Sequence, residues 1–148
     1  METEQTLLER AIEIAVEAHA GQTQKDGTPY ILHPLHLMML MEDEASQIVA
    51  VLHDVVEDTE VTLADLQAEG FDDDVVVAVS LLTRQKGMSY EQFIEEIAPN
   101  ELARRVKLCD LEHNMDVRRL PMPLVERDFE RLMQYREAYE RLLSDLDD

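Results

Sequence analysis

Residues 51–60 read VLHDVVEDTE, and the fold turns on how this run is arranged. Val51, Leu52, Val55 and Val56 are spaced for an apolar surface, yet His53, Asp54, Glu57 and Asp58 share the same two turns. On a helix, side chains four apart stack on one face, so His53 is expected over Glu57 and Asp54 over Asp58. Two adjacent ligand-type side chains followed one turn later by two carboxylates is the arrangement hydrolytic metal chemistry needs. The first pair holds a divalent cation and the second accepts a proton from water. Taken alone, the same ten residues read equally well as the solvated end of a core helix.

Outward from this run, apolar residues recur at helical spacing almost everywhere. Leu7, Leu8, Ala11, Ile12, Ala15, Val16 and His19 form one stripe, which predicts a helix over residues 4–20. GQTQKDGTPY (21–30) reads as a loop, with Gly21, Gly27 and Pro29 as breakers. HPLHLMMLM (33–41) predicts a second helix with Pro34 in its first turn, where the missing N–H costs little. Residues 43–57 predict a third, continuous through the opening run. TLAD (62–65) and SYEQ (89–92) resemble capping boxes and open two shorter helices. DDVVVAVSLLT (73–83) is rich in β-branched side chains, but a lone strand would have no partner, so helix is assigned. NELARRVKLCDLEHNMD (100–116) and residues 123–146 give two more, with a frayed tail SDLDD. The expectation is an all-α helical bundle in a single domain, residues 1–148.

Thirteen basic and 33 acidic side chains give a net charge of −20. Such a surface repels a phosphate backbone, which argues against a nucleic-acid partner. No apolar run is long enough to span a bilayer, and METEQTLLER is neither a signal nor a transit peptide. Cys109, the single cysteine, excludes an internal disulfide and fits a reducing compartment, so a cytoplasmic location is expected. Only Arg10 and Lys25 precede Arg84 among the basic residues. An anionic ligand would have to be met locally, by Lys25 and some of the later cations, with help from a metal.

Two further clusters bear on the opening run. His33 lies in PYILHP, at a loop-to-helix junction where Pro34 fixes its direction. Asp110 lies in VKLCDLEHN on an otherwise apolar helix, with Lys107 and Asn114 on its face. A buried carboxylate needs a partner, and a metal is one of the few adequate ones. His33, His53, Asp54 and Asp110 would make a mixed nitrogen and oxygen site, suited to manganese, iron, cobalt or zinc. His19, His36 and His113 read as core, surface or supporting residues. Met38, Met39 and Met41 read as helix packing. Arg84 and Lys86 read equally as phosphate contacts or as a solvated loop.

HAGQTQKDGTPYILHP, AVLHDVVEDTEVT and ARRVKLCDLEHNMD resemble, in order and spacing, the three signature blocks of the HD-domain hydrolases of guanosine tetraphosphate. These are the hydrolase domains of the RelA/SpoT enzymes and the stand-alone small alarmone hydrolases. The resemblance implies an HD-type bundle in which His33, His53, Asp54 and Asp110 hold a metal, typically manganese, and Glu57 and Asp58 position and activate the attacking water. It implies that Asn114, Lys25, Arg131 and Tyr135 contact the nucleotide, with Lys107 beside them. The implied reaction releases pyrophosphate from the 3′ position of guanosine 3′,5′-bis(diphosphate) or a related purine nucleotide. At one position the chain departs from the pattern: Gln24 stands where the family commonly has an arginine that packs on the guanine. An amide can bond a base edge but lacks the guanidinium's charge and plane. Two alternatives therefore stay open: a phosphatase for another phosphorylated nucleotide or a cofactor such as NADPH, and a nucleotide-binding sensor without turnover. Degeneration to a sensor normally removes a ligand or the acidic pair, and here all six are present. The chain is too short for the synthetase domain of bifunctional relatives, so no synthetase activity is expected.

Overall fold

The computed structural model describes residues 4–144, and it is helical throughout. The elements are α1 (Leu7–Ala18), α2 (Leu32–Met39), α3 (Glu44–Leu52), α4 (Val55–Asp58), α5 (Leu63–Ala68), α6 (Asp73–Leu81), α7 (Tyr90–Ile97), α8 (Glu101–Asn114) and α9 (Glu126–Ser144). A 3₁₀ turn, Val117–Arg119, sits between α8 and α9. Among the described residues the only β-type pairing is an isolated bridge between Thr23 and Pro29 in the loop after α1. That loop folds back at Gly27, whose φ of +87° suits a residue without Cβ.

Capping chemistry sets most helix starts. Thr6 and Glu9 form a full capping box, so α1 begins at Leu7 rather than residue 4. Thr62 and Asp65 form another, the shorter Asp reaching the Thr62 N–H at 2.9 Å. Ser89 caps α7 by accepting from the Gln92 N–H, without the reciprocal bond. Asp43 and Asn100 cap α3 and α8. The β-branched run at 73–83 is helix, ending at Leu81. The last helix starts at Glu126, not residue 123, and of the tail SDLDD only Ser144 lies within the described residues.

One correction matters for function. Residues 43–57 are not one helix: α3 stops at Leu52 and α4 starts at Val55. Nδ1 of His53 lies 2.7 Å from the Ala50 carbonyl, taking an acceptor the backbone would otherwise use alone, and the His53 N–H reaches it only at 3.5 Å. Asp54 then adopts φ −107°, ψ 0°, outside the helical basin, and becomes the residue from which α4 springs.

Helix α3 is the axis of the bundle. It packs against α1, α2, α6 and α8, and its residues Ile48, Val49, Ala50, Val51 and Leu52 are all buried. A helix apolar on every side must be enclosed on every side. The surrounding layer buries Ala11 and Ala15 of α1, Leu37 of α2, Val75 and Val79 of α6, and Val106 and Leu111 of α8. Helix α9 lies outside this layer on α8, held by Ala138 and Leu142.

If α3 is the axis, Leu52→Ala should cost about 3 kcal/mol through an unfilled cavity. Removing the α3 cap with Asp43→Ala should cost about 1 kcal/mol. Urea titration of the two variants against wild type measures both; equal losses would show that α3 is not the centre of packing.

Candidate metal centre

Four side chains from three places in the chain converge where α3 breaks. His53 is the first residue past α3 and is buried; Asp54 follows it, half-buried. His33 comes from the first turn of α2, where Pro34 follows it, and Asp110 from the interior of α8. His33, His53 and Asp54 each offer a ligand atom within 4.8 Å of the others. Asp110 Oδ1 lies 2.8 Å from His33 Nε2 and 3.5 Å from His53 Nε2.

The tautomers fit a cation. With Nδ1 of His53 donating to the Ala50 carbonyl, the neutral ring carries its lone pair on Nε2. That Nε2 is buried with no hydrogen-bond partner, although it lies 2.9 Å from Asp54 Oδ2. His33 is held in the same way from behind: its Nδ1 lies 2.7 Å from Nδ1 of His113, which stacks between His33 and His36. Both imidazoles thus have their outer nitrogen engaged and present Nε2 to two carboxylates, the pattern of metal-ligating histidines.

Electrostatics point the same way. Burial opposes charge on His53, but Asp54 and Asp110 outweigh it and hold its pKa well above that of a free imidazole. Burial likewise opposes the Asp110 anion, yet Lys107, His33 and His53 hold its pKa well below the usual carboxylate range. The cluster calls for positive charge at its centre, which a divalent cation would supply. Around it, the Tyr30 hydroxyl donates to Asp54 Oδ2, Lys107 Nζ to Asp110 Oδ2 at 2.9 Å, and Asn114 Nδ2 to Asp110 Oδ1 at 3.1 Å.

Glu57 and Asp58 lie on α4, open to the cleft. The break removes the helical stacking of His53 over Glu57 that the sequence suggested, whereas Asp54, at the start of α4, keeps Asp58 one helical turn on, with the Asp58 N–H donating to its carbonyl at 3.0 Å. Oxygens of Asp54, Glu57 and Asp58 lie within 4.8 Å of one another. Glu57 Oε1 accepts the backbone N–H of Arg84 at 2.7 Å. Its pKa is raised, by partial burial and by Asp54 and Asp58, against the lowering effect of that bond. Asp58 is raised by burial and by Asp54. Behind this pair Gln22 joins His19 to the Asp58 carbonyl, which places buried His19 in support rather than among the ligands.

Of the four candidate ligands and the acidic pair, all but His53 line one cleft of about 400 Å³. Gln24, Lys25, Lys107, Asn114 and Tyr135 line it, as the sequence suggested; Arg131 does not, but lies close enough to Lys25 to help depress its pKa, after burial. Larger cavities, such as that of about 550 Å³ between α1 and α5, contain no comparable cluster among the described residues. Sequence reasoning missed Tyr30, Tyr90 and Arg119 on the cleft wall, and left Arg84 open. Tyr30 sits inside the PYILHP block and was legible there, whereas nothing near Arg119 in sequence marks it.

Comparison with known proteins places this geometry. A family model described as an HD domain matches residues 11–127. A GTP pyrophosphokinase of Streptomyces coelicolor is 33% identical over 121 residues, covering 73% of this chain and 14% of that protein. A probable guanosine-3′,5′-bis(diphosphate) 3′-pyrophosphohydrolase of Synechocystis is 33% identical over 124 residues, covering 74% and 16%. The bifunctional (p)ppGpp synthase/hydrolase SpoT of Escherichia coli is 32% identical over 123 residues, covering 73% and 17%. The chain thus spans only about a sixth of the length of these relatives. A solved structure, described as a metazoan ortholog of SpoT that hydrolyzes ppGpp, superimposes with a TM-score of 0.79 at 25% identity, covering 95% of this chain and 88% of its own. The family match takes in His33, His53, Asp54, Glu57, Asp58 and Asp110 together, and the chain belongs to the HD-domain family.

Proposed function

We propose that this chain is a metal-dependent phosphohydrolase that removes the 3′-pyrophosphate from guanosine 3′,5′-bis(diphosphate) or a closely related purine nucleotide. Residues 1–148 act as one catalytic domain in the cytoplasm, with manganese as the cation. The observation that carries this reading is the convergence of two Nε2 atoms and two carboxylates beside a second carboxylate pair, in a cleft that also holds four cations. Relatives named for the same 3′-pyrophosphohydrolase activity, and the fold shared with a ppGpp hydrolase, support it.

His33, His53, Asp54 and Asp110 are the residues that would hold the metal. When bound, the metal supplies Lewis acidity toward a phosphoryl oxygen and makes water more acidic. The chain's own groups do the rest. Glu57, oriented by the Arg84 N–H, and Asp58 take the proton from the attacking water; their raised pKa values bring both closer to the ideal for a general base near neutrality. Lys107 and Arg84 face the pyrophosphate, and Lys25, with Arg131 behind it, meets the remaining phosphates. Asn114 and Tyr135 contact the nucleoside. Water adds to the phosphorus attached to the 3′ oxygen, the P–O3′ bond breaks, and the 3′ oxygen takes the proton that the acidic pair received from the water. The products are pyrophosphate and the 5′-diphosphate.

A nucleotide panel tests the reading. Guanosine and adenosine 3′,5′-bis(diphosphates), nucleoside triphosphates and NADPH are offered with manganese, with and without chelator, and products are resolved by anion exchange. Chelator-sensitive release of pyrophosphate from a 3′-pyrophosphorylated nucleotide is expected; phosphate release from NADPH alone would replace the substrate class, and nucleotide binding without any product would replace hydrolase by sensor.

Two sets of variants separate the roles. His53→Ala or Asp54→Ala should lose bound manganese and turnover together. Glu57→Gln should keep its manganese while kcat falls by about 10²-fold or more, the usual worth of a general base. Metal analysis beside steady-state rates decides, and a Glu57→Gln protein with normal turnover would sink the assignment.

Lys107→Met leaves buried Asp110 without its cation. Without metal this should cost about 3 kcal/mol of stability. Manganese should recover part of the loss by replacing the missing charge, and melting curves with and without metal give the comparison.

A further inference from the structure

The segment Asp116–Leu120, DVRRL, leaves α8 and turns back across the end of the cleft. Its two arginines behave oppositely. Arg118 is paired with Asp116 at 2.8 Å, and its side chain is 87% exposed. Arg119 is half-buried, lines the cleft and makes no ion pair among the described residues. One of its terminal nitrogens donates to the His113 carbonyl at 2.7 Å, and the other to Gln24 Oε1.

Gln24 is itself fixed. Its backbone N–H donates to the Thr28 carbonyl at 2.8 Å, and its side-chain nitrogen donates to Thr28 Oγ1 at 3.0 Å and to the Pro29 carbonyl at 3.4 Å. Both N–H groups of the amide are therefore occupied, and its oxygen holds Arg119. An amide so engaged has no donor left with which to read a base edge. What the pair presents to the cleft is a guanidinium bonded at both terminal nitrogens, with its orientation set.

The other cations have different work. Lys107 is bonded to Asp110, and Arg84 lies over the Tyr90 ring beside Glu57. Lys25 lies near Arg127, Asp128 and Arg131 of α9. Arg84 Nε also donates to the Met88 carbonyl at 2.9 Å, but its guanidinium already lies over Tyr90; Arg119 is the other fixed planar group, and such a group stacks on aromatic rings, nucleic bases included.

We propose that Arg119 is a specificity-determining residue of the cleft, the platform on which the purine base stacks, and that Gln24 is a positioning residue that holds it. The inference rests on the hydrolase reading above and adds the recognition of the base to it. A guanidinium thus reaches the base from the segment after α8, not from position 24, where the family resemblance places one.

Steady-state hydrolysis of guanosine and uridine 3′,5′-bis(diphosphate) by the manganese-loaded protein tests this in wild type, Arg119→Met, Arg119→Lys, Gln24→Ala and the Gln24→Ala/Arg119→Met double variant. A purine offers more ring face, so wild-type kcat/KM favours guanosine. Arg119→Met should narrow that preference about tenfold, as expected for one lost base stack, and chiefly through KM. Arg119→Lys keeps the charge without the plane and should not restore it. Gln24→Ala should narrow the preference in the same direction, and the double variant should be no worse than Arg119→Met alone. A preference unmoved by Arg119→Met, or restored by lysine, overturns the proposal and leaves Arg119 a structural tie on the His113 carbonyl. If wild type turns over neither nucleotide, the hydrolase reading fails instead. Calorimetric binding of guanosine and uridine 5′-diphosphate to wild type and Arg119→Met then decides the stack without turnover: loss of the guanosine preference in the variant supports it, and equal behaviour of the two proteins overturns it.

Discussion

One hydrogen bond organises the centre of this molecule: the imidazole of His53 donating from Nδ1 to the Ala50 carbonyl. It takes up the carbonyl at the end of α3, where the helix stops. It also leaves the Nε2 lone pair free, and it fixes the ring so that this nitrogen faces Asp54 and Asp110. Asp54, released from helical geometry, carries its carboxylate toward the same point and starts α4, which presents Glu57 and Asp58. The candidate ligand set and the acidic pair are two products of one interruption.

The interruption is tolerable because of what precedes it. Five consecutive buried apolar residues, Ile48 to Leu52, anchor α3 on every side, so its end is held in place although it carries charge into the interior. Burying Asp110 and two histidines is unfavourable unless they are paired. Lys107, Asn114 and the two imidazoles supply partners for Asp110, and the Tyr30 hydroxyl supplies one for Asp54. The net charge of −20 makes the contrast sharper: four of the thirteen basic residues, Lys25, Arg84, Lys107 and Arg119, line this one cleft. On so acidic a chain, an anion is best met where these cations gather beside the candidate metal ligands.

Much of this was legible in the sequence, and what escaped it has a physical cause. Periodicity found the helices, because a core-facing helix must repeat its apolar residues with the helical turn. The candidate ligands stood out because histidine and aspartate among apolar neighbours have few other reasons to be there, and the structure brings His33, His53, Asp54 and Asp110 together. The break at 53–54 was not legible, because Val55 and Val56 continue the apolar pattern and nothing in the letters says that an imidazole will take a backbone carbonyl. His113 was placed among surface or supporting residues, and only its distance to His33 shows which. Arg119 could not be found at all: it and Gln24 are 95 positions apart, and their meeting depends on a 3₁₀ turn that neither end announces.

The two halves of the cleft are built from different material. Of the groups assigned to chemistry, His33, Glu57, Asp58 and Asp110 stand on helices and His53 and Asp54 on the turn directly after α3; His33, His53 and Asp110 are buried against the core. A displacement there would strain the packing of α2, α3 and α8 together. The groups assigned to the base, Gln24 and Arg119, stand on the 21–30 loop and the segment after α8, which contribute none of the buried apolar core beneath them. Their positions are set by a few hydrogen bonds to Thr28, Pro29 and His113. In the proposed arrangement, a guanidinium from the segment after α8 instead of at position 24 changes the means of gripping a base without moving the candidate ligands. A fold arranged in this way confines the metal chemistry and leaves base recognition free to be rebuilt from whichever loop can reach the cleft.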